Sequence, residues 1–588
     1  MILQALNELY ERKRADPDPG QRLPAFGFEE KQIPFIVEID TSGRFVQIKD
    51  TRETVGKTKV GRNFLVPQGV KKTSGVAANL LWDTAEYALG IDTKGKPARI
   101  AEQHAAFSAR LENLPPDALK DPGVKAVLTF LAEVPRASLE KQPAWEDIRR
   151  DNPLVSFQLQ GDVELVCQRP AVTRNVVPVN DDDPAGICLI TGQTAPIERL
   201  HTAIKGVWGA QTSGANIVSF NLDAFTSFDL AQGANAPVGK PAAFAYTTAL
   251  NHLLARDSGH RLQIGNASTV IWAQRPDELE EVLPLLFGET KDDPGAGVEA
   301  AKKLYAAVQS GRLAGADGDN RFYVLGLAPN AARIAVRFWY SGPLSELAPR
   351  VIRHFEDLRI DRPPNAPEHL SLFRLLVHCA AQRKADNIPP LLGGDIVRAV
   401  FAGERAPYPH ALLNAAVNRC RAEQDVPYPR AAAVKAWLNR NIRFTQSGEK
   451  EFTAMLDLDN PSAAYRLGRL FAALEKIQEE AQPGINATIR ERYYGAASST
   501  PVSVFTTLLR LKNHHLAKLS GGRKTQFEKL LGEVLGGVGD FPAHLNLPDQ
   551  GRFALGYYHQ RQAFFTKSTD KECPWPSPTA TTSSCFST

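Results

Sequence analysis

The last quarter of the chain constrains its fold most. From about residue 455, helical runs follow one another with only short Gly, Pro or Ser breaks. Asn460-Pro461 supplies a cap and a first-turn proline. Leu467, Leu470, Phe471, Leu474 and Ile477 then fall on one stripe at helical spacing, and Pro483-Gly484 stops the helix. Similar runs follow at about 486–497, 502–519, 525–535 and 549–566. Amphipathic helices joined this tightly bury their stripes against each other, so this part is expected to form a helical bundle.

The first half reads differently. Residues 1–15 have helical periodicity. Ile33 to Ile39 and Arg44 to Ile48 flank the turn cluster Asp40-Thr-Ser-Gly43, a hairpin pattern. Further strands are expected at Phe64–Val66, 154–168, 185–190, Val270–Ala273, 322–327 and 333–340, and helices at 101–115, 120–135 and 241–255. The fold class is therefore α+β, a mixed α/β N-terminal region followed by a C-terminal helical bundle. At roughly 100–200 residues per domain, 588 residues make about three or four domains. The expected boundaries are 1–290 (α/β), 291–320 (a Gly/Ala/Asp-rich variable loop or linker around a short helix), 321–454 (mixed, mostly helical), 455–567 (the bundle) and 568–588 (a Ser/Thr/Pro-rich disordered tail).

Composition excludes several classes. The 69 basic against 65 acidic residues leave a charge of +4, too small to announce a nucleic-acid partner by itself. Residues 44–75 do concentrate charge: Arg44, Lys49, Arg52, Lys57, Lys59, Arg62, Lys71 and Lys72 face only Asp50 and Glu53. Six scattered cysteines, with no CxxC pair, write neither a disulfide framework nor a local zinc site. The order of charge and apolar residues at the N-terminus is the reverse of a secretory signal, and no run reaches about 18 apolar residues. A cytoplasmic protein without membrane contact is expected.

Enzyme signatures are missing. The sequence has no Walker-type loop, HExxH, GxSxG or strand-borne GxGxxG. Ser520-Gly-Gly-Arg-Lys-Thr525 is read as a turn between helices. His514 and His515 are adjacent, so they share no helix face. Asp181, Asp182 and Asp183 are read as solvated loop charge, and His201 and His252 as structural. No catalytic residue, metal site or cofactor is expected.

Two loops gather small, amide and basic residues instead. One runs from Val66 to Asn79 and on to Trp82 and Asp83; the other runs from Leu200 to Asn221. Glycines permit close backbone approach. Lys, Thr and Ser suit phosphates, and Gln and Asn can also read base edges. By residue chemistry alone, each is more often an ordinary Gly-rich turn.

At these loops the sequence resembles the Csd-type large subunit (Cas8 family) of type I-C CRISPR surveillance complexes, known as Cascade. The similar segments are the opening Met1-Ile-Leu-Gln-Ala-Leu6, Phe26 to Lys31, Lys71 to Trp82, Cys188 to Gly192, Ile204-Lys-Gly-Val-Trp-Gly-Ala-Gln211 with Val218 to Asn221, Asn235 to Val238, Leu325 to Arg333, Val336 to Trp339, Leu467 to Phe471 and Gly556 to Arg561. They cover residues 1 to about 567; the tail after Lys567 departs from the pattern.

The resemblance implies a non-catalytic antiviral-defence subunit. Its partners would be guide CRISPR RNA, target double-stranded DNA and the backbone, RNA-end-binding and small Cascade subunits. It would recognise the protospacer-adjacent motif (PAM), help open the duplex into an R-loop and support recruitment of a helicase-nuclease. The expected motif contacts are Lys205, Gly206, Gly209, Gln211, Thr212, Ser213 and Asn216, with Lys71, Lys72, Thr73 and Asn79 as a second group. Arg52, Lys57, Lys59 and Arg62 would steer the duplex backbone, and Arg466, Arg469, Arg490, Arg492, Lys512 and Lys518 would hold the displaced strand. Trp208 would be a wedge at the first opened pair, or a core residue. In such families the C-terminal part is also made separately, and Met455, the one methionine besides Met1, is placed to start it. Two other readings stay open, a metal-dependent nuclease using scattered acids and a scaffold without base readout.

Overall fold

The computed structural model describes residues 2–565, apart from 57, 71, 73–74, 94, 177–183, 227, 257, 289–294, 316 and 368. Lys57, Lys71, Thr73, Asp181 to Asp183 and the tail 568–588 lie outside the described residues. The chain forms two compact units: residues 1–202 with 218–250, and residues 203–217 with 251–588. The division falls elsewhere than the 290/291 boundary expected from composition.

The first unit is built on a four-stranded sheet in the order Phe45–Asp50, Phe35–Ile39, Leu154–Leu159, Trp82–Thr84. The expected hairpin is present as the antiparallel pair of Phe35–Ile39 with Phe45–Asp50. Its turn is held by Asp40, whose Oδ1 accepts from Ser42 N, Ser42 Oγ and Arg44 N at 2.9, 2.6 and 2.9 Å. Every residue of Phe35–Ile39 is buried, which fits its central place and its continuous Ile/Val/Phe composition. The helices Pro97–Glu112 and Pro122–Ala132 contribute to the same core, where Phe107 and Phe130 meet Phe157 at ring distances of 6.1 and 5.7 Å. Burying each such ring stabilises the unit by about 1.5–3 kcal/mol. The strand expected over 154–168 ends at Leu159, because Gly161 (φ +90°) turns the chain.

The second unit opens with a four-stranded antiparallel sheet, Arg261–Ile264, Ala267–Ala273, Arg321–Asn330 and Arg333–Pro343 in chain order. Ile271, Phe322, Val324 and Phe338 face the helices. The segment expected as a loop or linker around a short helix holds a helix of 14 residues, Ala296–Gln309, with Ala300, Ala301, Leu304 and Ala307 in the core. Its buried face is mostly alanine, so the apolar stripe is faint in sequence.

The C-terminal helices are Ala463–Ala481, Ile489–Ala497, Pro501–Leu516, Gly521–Leu535 and Leu547–Ala563, close to the expected runs. Two of them cross at backbone distance. A Cβ on Gly468 would lie 2.0 Å from Phe553 O, and one on Gly556 would lie 2.0 Å from Tyr465 O; only glycine permits that crossing. These helices share one continuous core with the preceding ones, from Leu262 to Tyr558. Gly551, for example, packs against Leu413, Val417 and Val434. The 321–454 and 455–567 segments are thus parts of one packed body, because the Leu547–Ala563 helix is buried on both sides. The chain is an α+β protein with its helices concentrated in the second half. Among the described residues no helix is long and apolar enough to cross a membrane.

Candidate nucleic-acid interface

Residues 204–216 form a closed loop in the second unit. Ile204 and Ala215 exchange two backbone hydrogen bonds, 2.8 Å and 2.9 Å, and both side chains are buried. The ends of residues 205–214 are thereby pinned together, as in a compact Ω-loop. Three interactions hold it on its unit. Asn251 accepts from Lys205 N at 2.7 Å and donates to Ala203 O at 3.2 Å, clamping the entry. Trp208 N donates to Ser268 Oγ at 2.9 Å, and that hydroxyl donates to Gln263 Oε1 at 3.1 Å. Asn216 bridges to the Arg333 strand, its carbonyl accepting from Ile334 N at 2.9 Å.

The loop's tip is what these restraints leave outside. Lys205, Trp208, Gln211, Thr212 and Ser213 are exposed, whereas Val207 is buried beneath them. Trp208 is 57% exposed, which removes its core alternative and leaves an indole in solvent. Gly206, Gly209 and Gly214 have φ of +82°, +77° and +94°, the left-handed region that side-chain-bearing residues avoid. A loop fixed in this way binds without losing much freedom on contact, which favours specific recognition.

The second group behaves otherwise. Lys72 Nζ sits 2.6 and 2.8 Å from the carboxylate of Asp83, and lies 3.7 Å from the centre of the Tyr87 ring. Asp83 is buried and also accepts from Asn79 N at 2.9 Å. Asn79, itself buried, accepts from Val70 N at 3.0 Å. These residues tie the 66–84 segment to its own sheet. Lys72 and Asn79 therefore act inside the first unit, and the two candidate loops belong to different units.

The backbone-steering residues also divide. Arg52 donates to both carboxylate oxygens of Asp50 and to Asp147 at 2.7 Å, and stacks over Phe35 at 4.5 Å. Those bonds hold the carboxyls of Asp50 and Asp147 below the usual range. Lys59 and Arg62 are exposed, Arg62 lying over Phe64 at 5.5 Å.

In the bundle, Arg469 is fully buried and binds Glu533 at 2.9 Å, Leu458 O at 3.0 Å and Gln560 at 3.2 Å. It cannot reach a DNA strand; its place on the buried stripe overrides its charge. Arg466 donates to Asn460 O at 2.8 Å and packs on Gly537. Arg490 is drawn into Glu491, Glu475 and Asp425. Arg492 and Lys518 are exposed, and Lys512, half-buried, donates to Asn513 at 3.0 Å. Met455 is 54% exposed, just before the helix Ala463–Ala481.

His201 is buried against the Tyr246 hydroxyl at 2.6 Å, and burial lowers its pKa to about 4. Asn251 and Ser268, the residues that fix the loop, were not among those the sequence singled out. The one signal for them was the polar pair Asn251-His252 inside the otherwise apolar run Ala249 to Leu254.

No curated protein matches the chain. The family model for the CRISPR-associated protein Cas_Csd1 matches residues 6–565. With nearly the whole chain matched, and the described loops and bundle inside the match, the protein belongs to the Cas_Csd1 family of CRISPR-associated proteins and is a component of a CRISPR complex with other Cas subunits.

Proposed function

We propose that this chain is the non-catalytic large subunit of a type I-C Cascade and reads the protospacer-adjacent motif in duplex DNA through residues 205–214. The observation that supports this most is the pinned loop with an exposed tip. Gln211, Thr212 and Ser213 offer donors and acceptors small enough for the minor groove, where few groups distinguish base pairs. Lys205, exposed at the loop's entry, would take a phosphate. Trp208 is exposed on the same tip as a wedge for the first opened pair, since inserted apolar side chains unstack base steps. Lys59, Arg62, Arg492, Lys512 and Lys518 would then make sequence-independent backbone contacts. Guide pairing reads the rest of the target, and a helicase-nuclease recruited afterwards performs cleavage.

The test is a gel-shift series with reconstituted complex on duplexes carrying matched or scrambled flanking motifs at fixed salt. Gln211→Ala with Thr212→Ala should lose discrimination between the two duplexes while guide-matched, pre-opened DNA still binds. Retained discrimination would leave the loop a structural element and the chain a scaffold at that position.

A further inference from the structure

A cavity of about 450 Å³ lies in the second unit, at the outer edge of the Arg333–Pro343 strand, against the helices Leu344–Leu358 and Leu392–Ala402. Its lining has an unusual chemistry. Four guanidiniums, from Arg321, Arg350, Arg398 and Arg405, face a single carboxylate, Glu346. Arg350 is committed to the frame: it pairs with Glu346 and donates to Phe401 O at 2.8 Å. Arg321 donates to Ser341 Oγ at 3.4 Å. Arg398 is 62% exposed and touches only the rim acid Asp395 among the ion pairs described, and Arg405 is exposed. The rim thus carries positive charge that the frame does not neutralise.

One part of the wall is aromatic. Tyr340, half-buried, lines the cavity, and the core residue Phe401 backs it at a ring distance of 4.9 Å. Arg333–Pro343 is the last strand of its sheet; its outer edge meets Asn216 at the Arg333 end, and among the described residues no further strand pairs with it. Positive rim and aromatic wall together match one ligand chemistry, a phosphate joined to a flat heterocycle. Guanidinium suits phosphate oxygens, aromatic faces suit bases regardless of sequence, and the volume suits a ligand of nucleotide size.

We propose that this cavity holds one nucleotide unit of single-stranded DNA, its phosphate on Arg398 and Arg405 and its base against Tyr340. The proposal rests on the nucleic-acid reading of the chain and adds a site distinct from the 205–214 loop. It gives a displaced strand a fixed anchor in the second unit, in addition to the exposed basic residues of the bundle.

The full-length chain would be titrated with a fluorescein-labelled thymidine decanucleotide over a salt series. Competition by thymidine 5′-monophosphate and by inorganic phosphate would be measured in parallel. Arg398→Ala with Arg405→Ala should weaken decanucleotide binding at least tenfold. It should also flatten the slope of log K against log salt by about 0.7 for each phosphate that the variant no longer neutralises. Ala402→Glu, which adds an acid to the cavity lining without removing an arginine, should weaken it as well. Unchanged affinity and slope in both variants would overturn the proposal. So would equal competition by inorganic phosphate and the nucleotide, which marks a plain anion site, or nucleotide binding as tight as the decanucleotide, which marks a free-nucleotide site. Failure of the motif-reading proposal is seen separately, in the duplex discrimination of the assembled complex.

Discussion

Two glycines in the 205–214 loop have the same backbone conformation and different surroundings, so alanine at each separates conformational cost from steric cost. Gly206 and Gly209 have φ of +82° and +77°. Alanine in this region costs about 1 kcal/mol or somewhat more at either site. A Cβ at Gly209 meets only Pro329 Cγ, at 3.4 Å, an ordinary contact. A Cβ at Gly206 meets Leu254 O at 2.6 Å, which forces backbone to move. That overlap adds about 1–3 kcal/mol, as overpacking does. The costs fall on the closed state of the loop, which the Ile204–Ala215 hydrogen bonds report. Native-state hydrogen exchange at those two amides is the assay, since local opening is measured there without unfolding both units. At 1.4 kcal/mol per tenfold, Gly209→Ala should speed exchange about fivefold and Gly206→Ala about a hundredfold. Gly206→Ala should also impair motif discrimination although no contacting side chain has changed. Equal exchange rates in the two variants would refute the steric argument and the claim that the loop is held rigid at its base.

Arg469→Met should destabilise the second unit by about 1–3 kcal/mol, because buried Gln560 loses its partner, while half-exposed Glu533 is taken up by solvent. The salt dependence of DNA binding by properly folded Arg469→Met protein should be unchanged, and a smaller salt slope would return Arg469 to the interface. Burial lowers His354 and His559 to a pKa of about 3 and His201 to about 4, so each binds its proton mainly in the unfolded chain. Their stabilisation is complete above the unfolded value of about 6.5 and is lost as pH falls toward the folded values, at up to about 1.4 kcal/mol per pH unit each. Thermal unfolding followed from pH 7 to 4.5 should show this fall, and His354→Gln should flatten it. Met455→Leu should leave the full chain's unfolding unchanged, since the side chain is exposed, and should abolish a small C-terminally tagged product on an immunoblot; a product that persists would exclude this start.

Much of the fold was legible because periodicity and caps are local. The hairpin about Asp40, the proline-led helices and the run of C-terminal helices follow from residues within a few positions of each other. The helix Ala296–Gln309 was legible only as a short helix within a loop or linker, because alanine supplies most of its buried face and marks no stripe. The site was legible in part. Gly206, Gly209 and the polar tip stood out by composition, but composition could not separate Lys205, whose side chain is exposed, from Lys72, whose ammonium is held by a buried carboxylate. Nor could it separate the exposed Arg492 from the buried Arg469.

The sequence by itself determined the α+β class, the family and the segments that carry small and polar residues in excess. Only the tertiary structure decided which of those residues face solvent, that residues 203–217 join the second unit rather than the first, and that arginines from a strand, two helices and a short turn line one cavity. The reason is physical. Conformation along the chain is set by neighbours in sequence, whereas charge and hydrogen-bonding capacity become available or spent through partners such as Asp83, Glu533 and Asn251, which lie from 11 to 64 positions away.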